Sequence, residues 1–360
     1  MALDQERYMP IPPRRFPTSR TGSIAVQCSI FLVAALVLAS CGVSTTASSS
    51  APVEGVPTFG ISVALQKVAC TLNDSCVAIG ASSASLGPTS VGEYRQASGR
   101  WALLTVPAVS SAQIMSSSCS SSDCLIGGAQ STGDLVWDYN ASTHTVTNVV
   151  APPGGVGVSA IDCLDPLSCV VGDVGFNGLP RIFATIDGGT TWTTPTPVTW
   201  AAGATIRTIA CESATNCLAS STSTNGQVRL EVTFDAGVTW TKRSTPSSWT
   251  ALSSIGCRAR NCVALASAAA GSRIVRTNSF GRTWKATELT VSATALACTT
   301  TEKCLAVGQA SSSASVLEQI VGGAVSLRKL RYVPSALLDV ACGHTVCAAI
   351  AATTLLALKP

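Results

Sequence analysis

The residues best placed to do chemistry in this chain are its 16 cysteines. A thiolate can act as a nucleophile, a metal ligand or half of a disulfide, and spacing discriminates among these roles. Cys28 and Cys41 stand apart. The other fourteen fall into close pairs: Cys70/Cys76, Cys119/Cys124, Cys163/Cys169, Cys211/Cys217, Cys257/Cys262, Cys298/Cys304 and Cys342/Cys347. Structural zinc sites prefer two to four residues between paired cysteines and often recruit histidine. Here several gaps hold five residues, and the only histidines are His144 and His344. Metal binding is disfavoured, and no cofactor is expected.

Carboxylates are the next candidates. A hydrolase that cleaves sugars with two carboxylates needs both at one place, with a defined separation. The chain offers Asp162, Asp165, Asp173, Glu212 and Glu231 among others, with nothing in the sequence to bring two together. His144 and His344 lie in short polar turns, so no Ser-His-Asp set is evident. No Gly-rich loop follows a strand and opens a helix, which removes the common nucleotide motifs.

These residues sit in a chain of 360 with 12% charged and 5% aromatic residues, against about 25% charged in an ordinary globular protein. It is too apolar for a disordered chain. Only one segment is long and apolar enough to cross a bilayer. The net charge of +4 makes no case for nucleic acid.

That apolar segment, Ser23 to Ser40, follows Arg14, Arg15 and Arg20 and contains no charge. A basic flank before an apolar core has the form of a secretory signal. It ends in Leu38-Ala39-Ser40-Cys41-Gly42, which resembles the lipobox of bacterial lipoproteins. The resemblance implies that Cys41 is acylated and becomes the new N-terminus. An uncleaved single-span anchor is the alternative; both place the remaining chain outside. Residues 1–40 are thus expected to be a signal peptide. Residues 41–57, rich in Ser, Thr, Ala and Pro, are expected to be a lipidated flexible tether. An exported chain with cysteines in even, close pairs is expected to form disulfides.

The pairs recur 41 to 49 residues apart. A period in the forties is the signature of blade architectures, in which each unit is a four-stranded sheet. An apolar residue, a Cys, a polar loop, a second Cys and an apolar run describe a hairpin cross-linked near its turn. The expected fold over residues 58–360 is all-β: a seven-bladed β-propeller with one local disulfide per blade. The last unit has room for three strands only, so the segment from about Thr58 to Ala64 is expected to supply its fourth and close the ring.

The second half of some units also repeats. The runs Thr185 to Trp192 (TIDGGTTW) and Thr233 to Trp240 (TFDAGVTW) resemble the Asp-box (BNR) pattern, Ser/Thr-x-Asp-x-Gly-x-Thr-Trp. Thr277 to Trp284 keeps the frame with Ser279 in place of the Asp. The chain therefore resembles secreted Asp-box β-propellers. The resemblance implies that Asp187 and Asp235 form turns, that Gly189, Gly237 and Gly281 take a conformation costly for other residues, and that Trp192, Trp240 and Trp284 pack between blades. Sialidases also carry the box, but their Arg-Ile-Pro motif is missing and the tyrosines after the signal are only Tyr94, Tyr139 and Tyr332. Photosystem assembly factors with similar repeats are protein-binding platforms.

Charge is unevenly spread. Between Cys70 and Trp240 there are twelve acidic and five basic residues; between Lys242 and Arg331 there are twelve basic and three acidic. Arg258, Arg260, Arg273, Arg276, Arg282 and Lys285 would form a basic sector able to dock an anionic surface. The expectation is a monomeric lipoprotein at the outer face of the cytoplasmic membrane, binding or scaffolding a protein or cell-wall polymer. A sialidase-type glycoside hydrolase is the alternative.

Overall fold

The structure is a computed structural model that describes residues 63–358, apart from short stretches at 83–88, 96–99, 108, 110–111, 194–195, 198–199, 201–202, 259, 310–314 and 330–335. The signal segment, Cys41 and the tether lie outside the described residues.

The described residues form seven antiparallel sheets, six of four strands and the last of three, with no helix. The sheets are the blades of a β-propeller, numbered here 1 to 7 along the chain. Their first strands run Val63–Cys70, Gln113–Cys119, Gly155–Cys163, Thr205–Cys211, Trp249–Arg258, Ser292–Thr300 and Leu337–Cys342. Each sheet is built from consecutive strands joined by hairpins, the topology that short polar loops between apolar runs dictate. The closing strand expected from about Thr58 lies largely outside the described residues. Its last two residues, Val63 and Ala64, do not pair with blade 7; they open blade 1 and pair with Ser82 and Ala81.

All seven cysteine pairs are disulfides local to one hairpin. In each, the two cysteines face one another across the first two strands, with Cα atoms 3.9–4.1 Å apart. This clamp sits at the same end of every blade and defines a disulfide face of the ring.

In five of the seven clamps the first cysteine is only partly buried, whereas Cys70 and Cys211 are buried like their partners. The second cysteines, Cys76, Cys124, Cys169, Cys217, Cys262, Cys304 and Cys347, are all buried, at 0–3% exposure. Each lies in a different one of the seven apolar clusters. The physical reason is their position on the second strand, which neighbouring blades cover. These sulfurs are thus core atoms as well as cross-links. Cys76, Cys124, Cys169, Cys217, Cys262, Cys304 and Cys347 are the disulfide partners that the sequence suggests.

A blade four strands wide has two apolar faces and no core of its own, so it must bury them against its neighbours. The apolar side chains accordingly gather at the seams. Leu125 and Val136 of blade 2 meet Val158, Ile161 and Phe183 of blade 3. Leu218, Leu230 and Val232 of blade 4 meet Leu252 and Val275 of blade 5. Blade 7 meets blade 1 in the same way, through Ala348, Ile350 and Leu355 against Leu65, Val68 and Ala78. At that seam Asp74 also accepts bonds from the Thr345 amide (2.7 Å), the Thr345 hydroxyl (2.6 Å) and the Val346 amide (3.0 Å).

Six of the first strands carry a β-bulge four residues before their cysteine. The extra residues are Gln66, Met115, Ser159, Arg207, Thr294 and Leu338. A bulge re-aims side chains by one position. Here it turns residues near the middle of each inner strand toward the next blade or the axis.

Removing one clamp should loosen one hairpin and leave the rest. The Cys211→Ser/Cys217→Ser double variant is expected to lose about 2 kcal/mol by the loop-entropy estimate, read as a lower denaturant midpoint. Peptide mapping without reductant should recover only the seven local pairs. A long-range pair would contradict the blade assignment.

Candidate functional site

The first strands of all seven blades line one central channel of ≈ 490 Å³. Its wall is mostly Ser, Thr, Ala and disulfide Cys, and its charged residues are Lys67, Asp162, Arg207, Arg258 and Asp339. Two carboxylates are thus present, on blades 3 and 7. Both are tied to a neighbouring blade. Asp162 accepts the Cys211 amide of blade 4 at 2.7 Å, and Asp339 accepts the Val68 amide of blade 1 at 3.2 Å. The bond is a recurring device: Gln66 accepts Ile114 N–H (2.8 Å), Ser118 accepts Cys163 N–H (3.0 Å) and Ser254 accepts Leu296 N–H (3.3 Å). Burial pushes Asp162 up to about 6 although the Cys211 amide and Ser118 hydroxyl oppose the shift. Burial likewise raises Asp339, against the pull of Lys67, whose ammonium lies 3.8 Å away.

Two further constellations look catalytic until their burial is considered. The Tyr139 hydroxyl donates to Glu93 at 2.5 Å, a Tyr–Glu pair of the kind a sialidase would use. Both residues are fully buried between blades 1 and 2, away from the channel. The Nδ1 of His144 lies 2.6 Å from the same Glu93 oxygen. His144 is an exposed turn residue, as the sequence suggests, and its ring also reaches Glu93 across the seam. Its turn occupies the place of the missing box in blade 2, with Asn140 accepting the Ser142 and Thr143 amides.

The second constellation is the pair Asp134 and Asp173, which converge at the seam of blades 2 and 3. Any side chain at Gly155 would overlap both carboxyl groups. Asp173 is held by the Arg181 guanidinium (Nε to Oδ1, 2.9 Å). Burial, and next the hydrogen bond and charge of Asp173, push Asp134 up to about 8. Asp134 and Asp173 are 6% and 0% exposed, so no sugar ring reaches them.

The box turns lie on the disulfide face. Asp187 accepts the Thr191 amide (2.9 Å), the Thr191 hydroxyl (2.6 Å) and the Thr185 hydroxyl (2.7 Å). These bonds, the Thr191 hydroxyl first, hold its carboxyl down at about 2. Asp235 repeats the set with Thr239 and Thr233, and Ser279 reproduces part of it with Thr283. Gly189 and Gly281 have φ near +85° and +80°, and each abuts the preceding blade: Val149 for Gly189, Leu218 and Leu230 for Gly281. Gly237 likewise has positive φ. Trp192, Trp240 and Trp284 sit at seams but are only half-buried. The most deeply buried aromatic rings are Trp137, Tyr139, Phe183 and Phe280.

The structure divides the expected basic sector. Arg273 lies away from the disulfide end and pairs with Glu288 (2.8 Å). Arg276 donates to the Thr301 carbonyl of blade 6 (3.3 Å). Arg258, Arg260, Arg282 and Lys285 are exposed, all at the disulfide end of blade 5.

No family model matches the sequence, nor does any curated protein sequence. The fold is similar to that of YCF48 bound to a D1 peptide, at 14% identity and TM-score 0.61, over 87% of this chain and 96% of that one. It is also similar to a catalytically inactive virginiamycin B lyase from Staphylococcus aureus with quinupristin, at 9% identity and TM-score 0.62, over 86% and 99% of the two chains. The WD40 propeller domain of Doa1 is a further neighbour, at 11% identity and TM-score 0.57, over 83% and 94%. Identities this low establish the shared fold.

The Asp134 proton gives a pH signature. In the unfolded chain this carboxyl ionises near 4, whereas the folded chain holds the proton to about 8. Its contribution to stability is therefore complete in acid and is lost as pH rises through about 8. Asp134→Asn is expected to flatten the melting profile between pH 5 and 9 (about the span of that titration) and to melt above the wild type at the alkaline end. An unchanged slope would show that the pair does not share a proton.

Proposed function

We propose that this protein is an exported binding propeller, anchored through Cys41 at the outer face of the cytoplasmic membrane, whose ligand is an acidic polypeptide segment of a partner. The observation that carries this reading is the set of exposed cations at the disulfide end of blade 5: Arg258, Arg260 and Lys285. Arg260 offers only its amide to Glu212, leaving its guanidinium outward, and Arg258 stands at the mouth of the channel. Such a cluster attracts an acidic chain and accelerates its capture. The fold neighbour that carries a peptide supports a protein ligand by analogy.

A binding role also fits what the carboxylates do. Asp162, Asp339 and Glu93 spend their oxygens on seams, the box carboxylates spend theirs on turns, and Asp134 is buried beside Asp173. Among these described residues no pair is left for acid–base work on a sugar. The apolar run at 23–40 and the Ser/Thr-rich segment to residue 57 would hold the domain near a membrane.

Two experiments test this. An array of acidic peptides should bind with an affinity that falls steeply with salt. Arg258→Glu/Lys285→Glu should weaken that binding at least tenfold without lowering the melting temperature. Binding indifferent to the reversal would overturn the assigned surface. Separately, Cys41→Ala should abolish incorporation of labelled fatty acid and leave the precursor uncleaved. A mature N-terminus mapped inside the tether would point to ordinary signal cleavage.

A further inference from the structure

The box turns of blades 3, 4 and 5 repeat one frame at the disulfide face, so the same two positions are left outward in each. The first Thr of the box and its Asp or Ser are bound within the turn. The residue after that Thr is Ile186, Phe234 or Asn278, and the residue after the box Gly is Thr190, Val238 or Arg282; all six are exposed. Fixed turns therefore present aliphatic and aromatic side chains on blades 3 and 4, and polar or cationic ones on blade 5. Ile186 and Val238 are 79% and 71% exposed. Leu167, also exposed, leans on the blade 3 turn: its carbonyl accepts the Gly188 amide at 3.0 Å, and a side chain at Gly188 would meet it at 3.6 Å.

This apolar crest is continuous with the cations. The Phe234 ring packs on Phe280 of the blade 5 turn, with centroids 5.5 Å apart, and the Arg243 guanidinium lies 5.9 Å from the Phe234 ring centre. Trp240, which ends the blade 4 box, packs at the seam with blade 3. The same face of blade 5 carries Arg258, Arg260 and Lys285. Exposed apolar side chains gathered on adjoining turns mark an interaction surface. Turns already locked by their own hydrogen bonds lose little freedom when a ligand lands on them.

We infer that the crest takes up apolar residues of the same partner segment, so that the ligand is an amphipathic peptide with its acids over blade 5 and its aliphatic side chains over blades 4 and 3. This rests on the assignment of an acidic peptide to blade 5. Charge favours a peptide over an anionic bilayer as the occupant. Asp165, Asp187 and Asp235 lie on the loops that carry Leu167, Ile186 and Phe234, each accepting an amide of its own turn. A headgroup layer of like charge would be repelled by these carboxylates, whereas a peptide can set apolar side chains between them.

The test is calorimetric titration of the full-length chain, held in zwitterionic vesicles, with two peptides of equal charge. Both carry a run of glutamates; one continues with leucines alternating with serines, the other with serines alone. The leucine peptide is expected to bind about tenfold tighter. Ile186→Ser/Val238→Ser should remove that advantage and leave the affinity for the serine peptide unchanged. The melting temperature should hold in this variant, because both side chains are already exposed. Arg258→Glu/Lys285→Glu should weaken both peptides together. Equal affinities in the wild type, or an advantage retained in Ile186→Ser/Val238→Ser, would overturn the crest assignment and leave the acidic-peptide surface standing. If neither peptide bound, the acidic-peptide surface would fall and the crest with it. Loss of the leucine advantage in anionic vesicles alone would give the crest to lipid and likewise overturn the inference.

Discussion

Everything in this molecule depends on the seams between blades. A four-stranded sheet cross-linked at one hairpin has two apolar faces and cannot stand alone. Its stability comes from the neighbour on each side, so the ring holds as a set of side-by-side contacts. The apolar clusters each straddle two blades, and the second cysteine of every clamp is packed into one of them. Polar chemistry follows the same line: side-chain oxygens of Gln66, Ser118, Asp162, Ser254 and Asp339 each accept an amide from the next blade. With only 5% aromatic residues to fill these seams, hydrogen bonds and local disulfides take over part of what large rings do in richer cores.

This constraint explains which carboxylates are idle and which are not. The channel holds Asp162 and Asp339, the place where a propeller hydrolase would keep its acids, yet both are bound to backbone amides across a seam. Glu93 receives a tyrosine and a histidine from blade 2. Asp134 and Asp173 share a buried cleft with Arg181. Cations are treated differently. Arg258, Arg260, Arg282 and Lys285 remain exposed on the disulfide face of blade 5. Buried acids serve the seams, while these four cations of blade 5 stay exposed.

Much of this fold was legible because its signals are local. Cysteines five or six positions apart report a single hairpin, and their recurrence counts the blades. The box turns were legible for the same reason, since Asp187 and Thr191 are four residues apart. The seams were not. Spacing pairs Cys211 with Cys217 but does not say that the neighbouring blades bury Cys217. Tyr139 and Glu93 are 46 residues apart, and Asp162 and Cys211 are 49 apart; no local pattern joins them. The bulge at Gln66, Met115, Ser159 and Arg207 leaves no composition mark either, because the extra residue differs in each of these blades. Charge counting found the basic half of the ring but could not see that Arg273 faces Glu288 while Arg276 reaches the Thr301 carbonyl of the next blade. Partnering across a ladder or a seam decides which charges are free.

The central claim is that the channel carboxylates hold neighbouring blades together. It is tested most directly by replacing Asp162 with Ala and following hydrogen exchange at the Cys211 amide together with acidic-peptide binding. A hydrogen bond to a charged group is worth about 1.5–3 kcal/mol. The account predicts faster exchange at Cys211, a lower melting temperature and undiminished binding. A variant that melts like the wild type, keeps Cys211 protected and yet loses a sugar-cleaving or binding activity would contradict it.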